Sequence, residues 1–153
     1  MLGSLSSDEI ERLLQRETIA RLGCHDRTRT YVVPITYAYV DGALVGHSVE
    51  GLKLQMLRKN PHVCVKLDHV DNLANWSSVI VWGMFEELQG EEVRHVLEPM
   101  QARFVALTLS ETSVVPSILR PSDVRTRIGQ SPEKSAVYRI RLTEKTGRFE
   151  RTS

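Results

Sequence analysis

Asp41-Gly42 stands between two runs rich in Tyr, Val, Ile and Thr, from Thr30 to Val40 and from Ala43 to Ser48, and this arrangement limits the possible folds more than any other feature of the sequence. A two-residue hairpin turn needs positive φ at its central positions, and Asp-Gly supplies it at little steric cost. The spacing therefore predicts an antiparallel pair closed at Asp41-Gly42. Thr18 to Cys24, joined to Thr30 through the turn-like Cys24-His25-Asp26-Arg27, reads as a strand that precedes it.

The rest of the chain extends this β framework. Ser6-Ser7-Asp8-Glu9 has the form of a capping box, with Ile10, Leu13 and Leu14 at helical spacing behind it. Leu52, Met56 and Leu57 suit a short helix that Asn60-Pro61 must end. Val63, Val65 and Leu67 alternate as a strand, Asp71 to Asn75 reads as loop, and Trp76 to Leu88 as a long, mostly buried strand in which Gly83 marks a bulge or bend. Val93, Val96, Leu97, Met100, Phe104 and Leu107 share one helical face, which Pro99 is expected to kink or split. Ser110 to Ser135 reads as loop; Ala136 to Leu142 alternates as a strand, and Thr146 to Phe149 as a turn into a last short one. Hairpin-ordered strands with few helices predict a mainly β (α+β) chain, its antiparallel sheet closed into a small barrel rather than built from βαβ units.

At 153 residues the length fits one domain covering residues 1–153, large enough to bury a core without staples. Hydrophobic residues at 41% and charged ones at 25% exclude intrinsic disorder. The net charge of +1, with both signs mixed in each half, speaks against nucleic-acid binding. Membrane insertion is not expected either, because the longest apolar run, Val79 to Phe85, falls far short of the roughly 20 residues a spanning helix needs. With no basic leader before Asp8, Glu9 and Glu11, the expected location is the cytoplasm, where Cys24 and Cys64 would stay reduced and packed.

His47-Ser48-Val49-Glu50-Gly51-Leu52-Lys53 places an imidazole, a hydroxyl and an ammonium where a strand gives way to a helix. Helix starts expose unpaired N–H groups, so this turn can take a phosphate; an ordinary strand-to-helix connection has the same composition. Pro34 removes a ladder donor from Tyr31-Val32-Val33-Pro34-Ile35-Thr36-Tyr37, as expected of a sheet edge, a bulge, or a strand that meets a flat ring instead of a neighbour. His62, Cys64, Asp68, His69 and Asp71 match no closed metal-site spacing, and no metal is assigned. Arg120, Arg125 and Arg127 form a small basic cluster that reads as solvated surface.

The ordered set Tyr31 to Tyr37, Asp41-Gly42-Ala43-Leu44, Gly46-His47-Ser48, Gly51-Leu52-Lys53, Leu57 to Cys64, Trp76-Ser77-Ser78-Val79 and Gly83 resembles the pyridoxamine 5'-phosphate oxidase-like flavin-binding split-barrel superfamily, nearest its nitroimidazole-resistance (Nim) and flavin-nucleotide-binding branch. The resemblance implies a six-stranded antiparallel split β-barrel with peripheral helices. It also implies a homodimer with FMN in clefts at the subunit interface, and a flavin-dependent oxidoreductase acting on a small electron acceptor such as a nitroaromatic compound. Carried over by motif, Val33, Pro34, Ile35, Thr36 and Tyr37 would lie along the isoalloxazine ring, His47, Ser48 and Lys53 would hold the phosphate or its approach, and Trp76 and Ser78 would stand near the ring.

Three departures bear on function, the first being that Lys53, with Leu52 before it, stands alone in a phosphate segment where the oxidases are richer in basic residues. Ser78 replaces a glutamine of the oxidases, and Gly147 to Arg151 lacks their basic C-terminal cluster, which argues against pyridoxamine phosphate as substrate. His47 matches a histidine characteristic of the Nim branch and is the candidate catalytic residue. A haem or flavin carrier without turnover, and a deazaflavin-dependent reductase, are the alternatives the same resemblance leaves open.

Overall fold

Asp41 and Gly42 both adopt positive φ, 52° and 74°, and close the expected hairpin. In this computed structural model, which describes residues 1–107 and 134–152, the hairpin joins β4 (Ala38–Val40) to β5 (Ala43–Val49). Its first arm is shorter than the sequence suggests. Thr30 to Val40 is two strands, β3 (Thr30–Thr36) and β4, separated by Tyr37 alone.

That one-residue break sets the architecture. With β2 (Ile19–His25), β6 (His62–Asn72), β7 (Asn75–Glu87) and β8 (Ser135–Glu150), the sheet runs in the order β3-β2-β6-β7-β8-β5-β4, and β1 (Leu2–Ser4) pairs with the end of β8. β3 and β4 lie at opposite ends of this order yet are joined through one residue, so the sheet must curl until its two edges meet. The result, among the described residues, is a split-barrel sheet of eight strands rather than six. The two further strands are β1, which carries too few residues to show alternation, and the separate β4.

The remaining strands refine the sequence reading. β6 and β7 run on to a tight turn at Leu73-Ala74, so Asp71, Asn72 and Asn75 are strand rather than loop. β7 is buried on alternate residues, with Val79, Val81, Gly83 and Phe85 inward and Trp82 37% exposed, so it is not a mostly buried strand. A register shift against β8 falls between Trp82 and Gly83, the expected bulge, and Thr143 donates its hydroxyl to the Trp82 carbonyl there (3.2 Å). β8 is one 16-residue strand without a turn at Gly147. Leu5 and Ile10 occupy the space where a Cβ on Gly147 would stand, which explains the glycine by packing.

Among the described residues, three helices cover parts of the barrel. α1 (Ser7–Arg16) opens on the expected capping box: Ser6 accepts from the Glu9 N–H (3.3 Å), and Glu9 accepts from the Ser6 N–H (2.8 Å). Its apolar stripe of Ile10, Leu13 and Leu14 enters the barrel core together with Leu22, Leu44, Val65, Val81 and Ile140. α2 (Leu52–Lys59) adds Leu54, Met56 and Leu57 to the same core. α3 (Glu91–Leu107) contains Pro99 within one continuous helix and packs Val96, Met100 and Phe104 on the outer side of β4, β5 and β8, against Ala38, Val45 and Val137. The Ser110 to Ser135 loop and Arg120, Arg125 and Arg127 fall almost wholly or wholly outside the described residues.

Candidate functional site

Strand alternation sorts the candidate residues before any ligand is considered. Neighbouring residues of a strand point to opposite faces. On β5, Leu44 belongs to the barrel core and Val45 to the layer under α3. In unbroken register with β8, His47 therefore lies on the Val45 face and Ser48 on the Leu44 face. One ligand cannot take both side chains within the sheet. Ser48 is 8% exposed and turns its hydroxyl to the Val49 carbonyl (3.1 Å), a local use of its only donor.

His47 is different. Its Nε2 is buried and has no hydrogen-bond partner among the described residues. Burial pushes the imidazole pKa below its ordinary value, and the Lys53 ammonium nearby pushes it the same way, so the ring is neutral at physiological pH. A buried ring nitrogen without a partner costs free energy on the order of 1–3 kcal/mol, which a ligand atom at that position would recover.

Lys53 lies in the first turn of α2, whose N-cap is Gly51 and whose start has no side-chain cap. Its N–H groups are thus left for another acceptor. Burial lowers the Lys53 pKa, and no carboxylate pairs with it among the described residues. Its charge is felt at Cys24, where burial dominates and raises the thiol pKa, and Cys24 is in register with Tyr31 at the start of β3. Lys53 therefore stands near the end of β2 that pairs with the start of β3, where Cys24 itself belongs to the barrel core.

β3 is a sheet end, as Pro34 suggested, pairing with β2 on one side only. Pro34 and Thr36 are exposed on its outer face, Val33 and Ile35 turn toward the core, and Tyr37 is buried with its hydroxyl donating to the Leu14 carbonyl (2.8 Å). What Tyr37 can offer a ligand is limited to main chain.

Trp76 and Ser78 share the outer face of β7, opposite Glu150 and Arg148 of β8. Two strands separate β7 from β3, a distance of about 14 Å at the usual strand spacing. The outer sheet face thus carries two groups, Pro34 with Thr36 on β3 and Trp76 with Ser78 on β7, while Lys53 stands at the start of α2. The sheet surface around them carries exposed Ile19, Val32, Val70 and Trp82. Sequence reasoning missed this apolar face because β2, β3 and β7 contain apolar residues at both parities, which hides which side meets water. No three His, Cys, Asp or Glu side chains gather to hold a metal ion among the described residues, and no helix there is long and apolar enough to cross a membrane.

An uncharacterized protein of Rhizobium meliloti is 32% identical over 91 residues, which are 60% of this chain and 60% of that protein's length. Among solved structures, an FAD-binding protein from Mesorhizobium loti superposes with a TM-score of 0.77 at 25% identity, covering 99% of this chain and 98% of that one. A candidate 5-nitroimidazole antibiotic resistance protein from Bacteroides thetaiotaomicron shares the fold, with a TM-score of 0.69 at 22% identity over 97% and 87% of the two chains. The family described as pyridoxamine 5'-phosphate oxidase matches residues 6–149, nearly the whole chain, and the protein belongs to it.

Proposed function

We propose that this chain binds FMN and, as a homodimer, works as a flavin-dependent oxidoreductase on a small electron acceptor. The observation that carries the reading is a half-buried Lys53 at a helix start without a side-chain cap, near the His47 ring, where among the described residues neither the ammonium nor the His47 Nε2 has a partner. Taking an ammonium out of water is costly, and a phosphate placed on Lys53 and the α2 N–H groups offsets that cost through charge-assisted hydrogen bonds. The Mesorhizobium protein's description as FAD-binding supports a flavin over other phosphorylated ligands.

A bound flavin would supply the electron transfer; the chain supplies position and environment. Lys53 and the first turn of α2 would anchor the phosphate. From there β3 runs away with Pro34 and Thr36 on its outer face, and its unpaired side offers main-chain groups of Val33 to Tyr37 to the polar rim of a ring. His47, neutral and half-buried, would hydrogen-bond to the cofactor or hold a proton at Nε2. A second copy laid on the exposed face of Ile19, Val32, Val70 and Trp82 would bring its Trp76 and Ser78 toward β3 and exclude water from the ring.

The visible spectrum of natively purified protein, followed by FMN titration, tests the reading. A yellow protein whose Lys53→Ala variant loses on the order of 1–3 kcal/mol of FMN affinity is expected. Colourless protein that takes up no added FMN overturns it, and a 17.4 kDa species at micromolar concentration in sedimentation overturns the shared site. The Nε2 of His47, without a partner among the described residues, favours one other reading, an axial ligand to haem iron. A Soret band that His47→Ala abolishes, in place of a flavin spectrum, would select that reading.

A further inference from the structure

We infer that the groove between α1 and the strand ends where β7 begins and β8 finishes is a binding site for a small carboxylate carried on an apolar body. The groove is a cavity of about 510 Å³, within the size range of small-molecule sites, and Arg12, Arg16, Arg151 and Glu9 stand on its walls over Leu5 and Leu13. Glu9, Arg12, Leu13 and Arg16 follow the i, i+3, i+4, i+7 spacing of one helix face, so α1 turns both arginines into the same space.

The charges do not cancel. Glu9 is the single carboxylate on the lining, and both its oxygens are engaged: Oε2 accepts from the Ser6 N–H (2.8 Å), and Oε1 from Arg151 (2.9 Å). These bonds hold its pKa at about 2, so it remains an occupied anion at any physiological pH. Arg12 uses only Nε, on the Asp8 carbonyl (3.2 Å), and Arg16 only Nε, on Glu17 (3.2 Å), a carboxylate that also contacts His69 (3.0 Å). Among the described residues, the two outer nitrogens of each of these guanidinium groups have no partner. The Arg151 guanidinium carbon lies over the Phe149 ring, 4.0 Å from its centroid.

Planar guanidinium forks match a carboxylate in two-point geometry. Leu5 and Leu13, 9% and 5% exposed, give the floor an apolar character that a bare inorganic anion cannot use. The groove is also remote from Lys53. α2 begins beside the start of β8, whereas Arg151 follows its end, about 40–50 Å of strand away. Ser77 on its lining lies between Trp76 and Ser78 but turns to the opposite face of β7, so the groove shares no side chain with the flavin reading.

Amide chemical shifts of ¹⁵N-labelled protein, titrated with benzoate and, for comparison, with acetate and inorganic phosphate, test it. Benzoate should shift the Leu13 and Ser77 amides at lower concentration than either comparison anion. Combining Arg12→Gln with Arg16→Gln should raise the apparent Kd about tenfold or more, the scale for losing charge-assisted hydrogen bonds. Arg94→Gln, on exposed α3 surface, should leave it unchanged. If the double variant loses spectral dispersion, Arg16→Gln alone gives the same comparison at smaller amplitude. Shifts scattered over the surface, phosphate binding as tightly as benzoate, or a Kd indifferent to the arginines would overturn the site.

Discussion

The Tyr37 hydroxyl donates to the Leu14 carbonyl across 2.8 Å, linking the residue that joins the two edges of the sheet to the last turn of α1. The contact completes the helix end. The four final carbonyls of α1 are all satisfied: Leu13 by the Glu17 N–H (3.0 Å), Leu14 by Tyr37, and Gln15 and Arg16 by the Arg103 guanidinium (2.8 and 2.5 Å). Tyr37→Phe keeps the ring in the core and leaves the Leu14 carbonyl buried without a donor. It should cost about 1–3 kcal/mol in urea unfolding. An unchanged midpoint would mean that the hydroxyl does not hold the seam.

Gly83 is predicted to tolerate no side chain. A Cβ there would stand 2.4 Å from the Arg141 carbonyl oxygen and 3.0 Å from Ile140 Cγ2, and the nearer atom is main chain that cannot rotate away. Gly83→Ala should lower stability by about 1–3 kcal/mol or more, as overpacked cores do. Retention of the wild-type melting temperature would show that the β7–β8 bulge can open by sliding.

His47 gives stability a dependence on mildly acidic pH. Burial and the Lys53 ammonium hold its pKa below the ordinary 6.5, so the unfolded chain binds a proton more readily than the folded one. Stability is thus full above pH 6.5 and falls as pH drops through that value. Glu9 acts in a separate window. Its pKa is depressed to about 2, so its contribution is present above its ordinary 4.5 and is lost between there and about 2. In urea titrations from pH 8 to 2, His47→Gln should flatten the dependence between pH 8 and 5 while leaving the steeper acid limb below 4.5. A slope identical in both proteins would mean that the imidazole is not neutral in its pocket.

How far the sequence alone led depends on where each signal is local. The capping box at Ser6-Glu9, the Asp41-Gly42 turn and the Asn60-Pro61 stop are short-range stereochemistry, and all three stand where expected. The break at Tyr37 is not local. Tyr31, Val33, Ile35 and Tyr39 keep one inward alternation through it, and no glycine or proline marks it, so the change of strand partner is decided by the return of β2 and β5 from elsewhere in the chain. The candidate site divides in the same way. Lys53 at a helix start was legible, while the opposite facing of His47 and Ser48 follows from alternation along β5 once its register is fixed. The Arg12 and Arg16 groove needed the end of β8, more than 130 residues away in sequence, folded back beside α1.

Arg58 is expected to tune the cationic end of α2 without touching a ligand. Its guanidinium takes both oxygens of Glu50 (2.5 and 3.0 Å) and, through Nε, one oxygen of Glu87 (2.5 Å), so the residue ahead of the Gly51 cap is tied to the last turn of its own helix and to the end of β7. The Glu50 N–H adds a bond to the Lys134 carbonyl (2.8 Å). These ties keep the Glu50 carboxylate occupied, and the pairing with Arg58 holds its pKa below the usual range. Freed by Arg58→Gln, that carboxylate can swing toward Lys53 and the open N–H groups of Leu52 and Lys53, competing with the phosphate for the same positive charge. FMN affinity, read by quenching of flavin fluorescence, should fall several-fold. Adding Glu50→Gln to Arg58→Gln removes the competitor and should restore most of it, a coupling that two independent effects would not produce. Equal losses in the single and double variants would instead mean that Arg58 acts by stiffening the helix, and the competition account would be wrong.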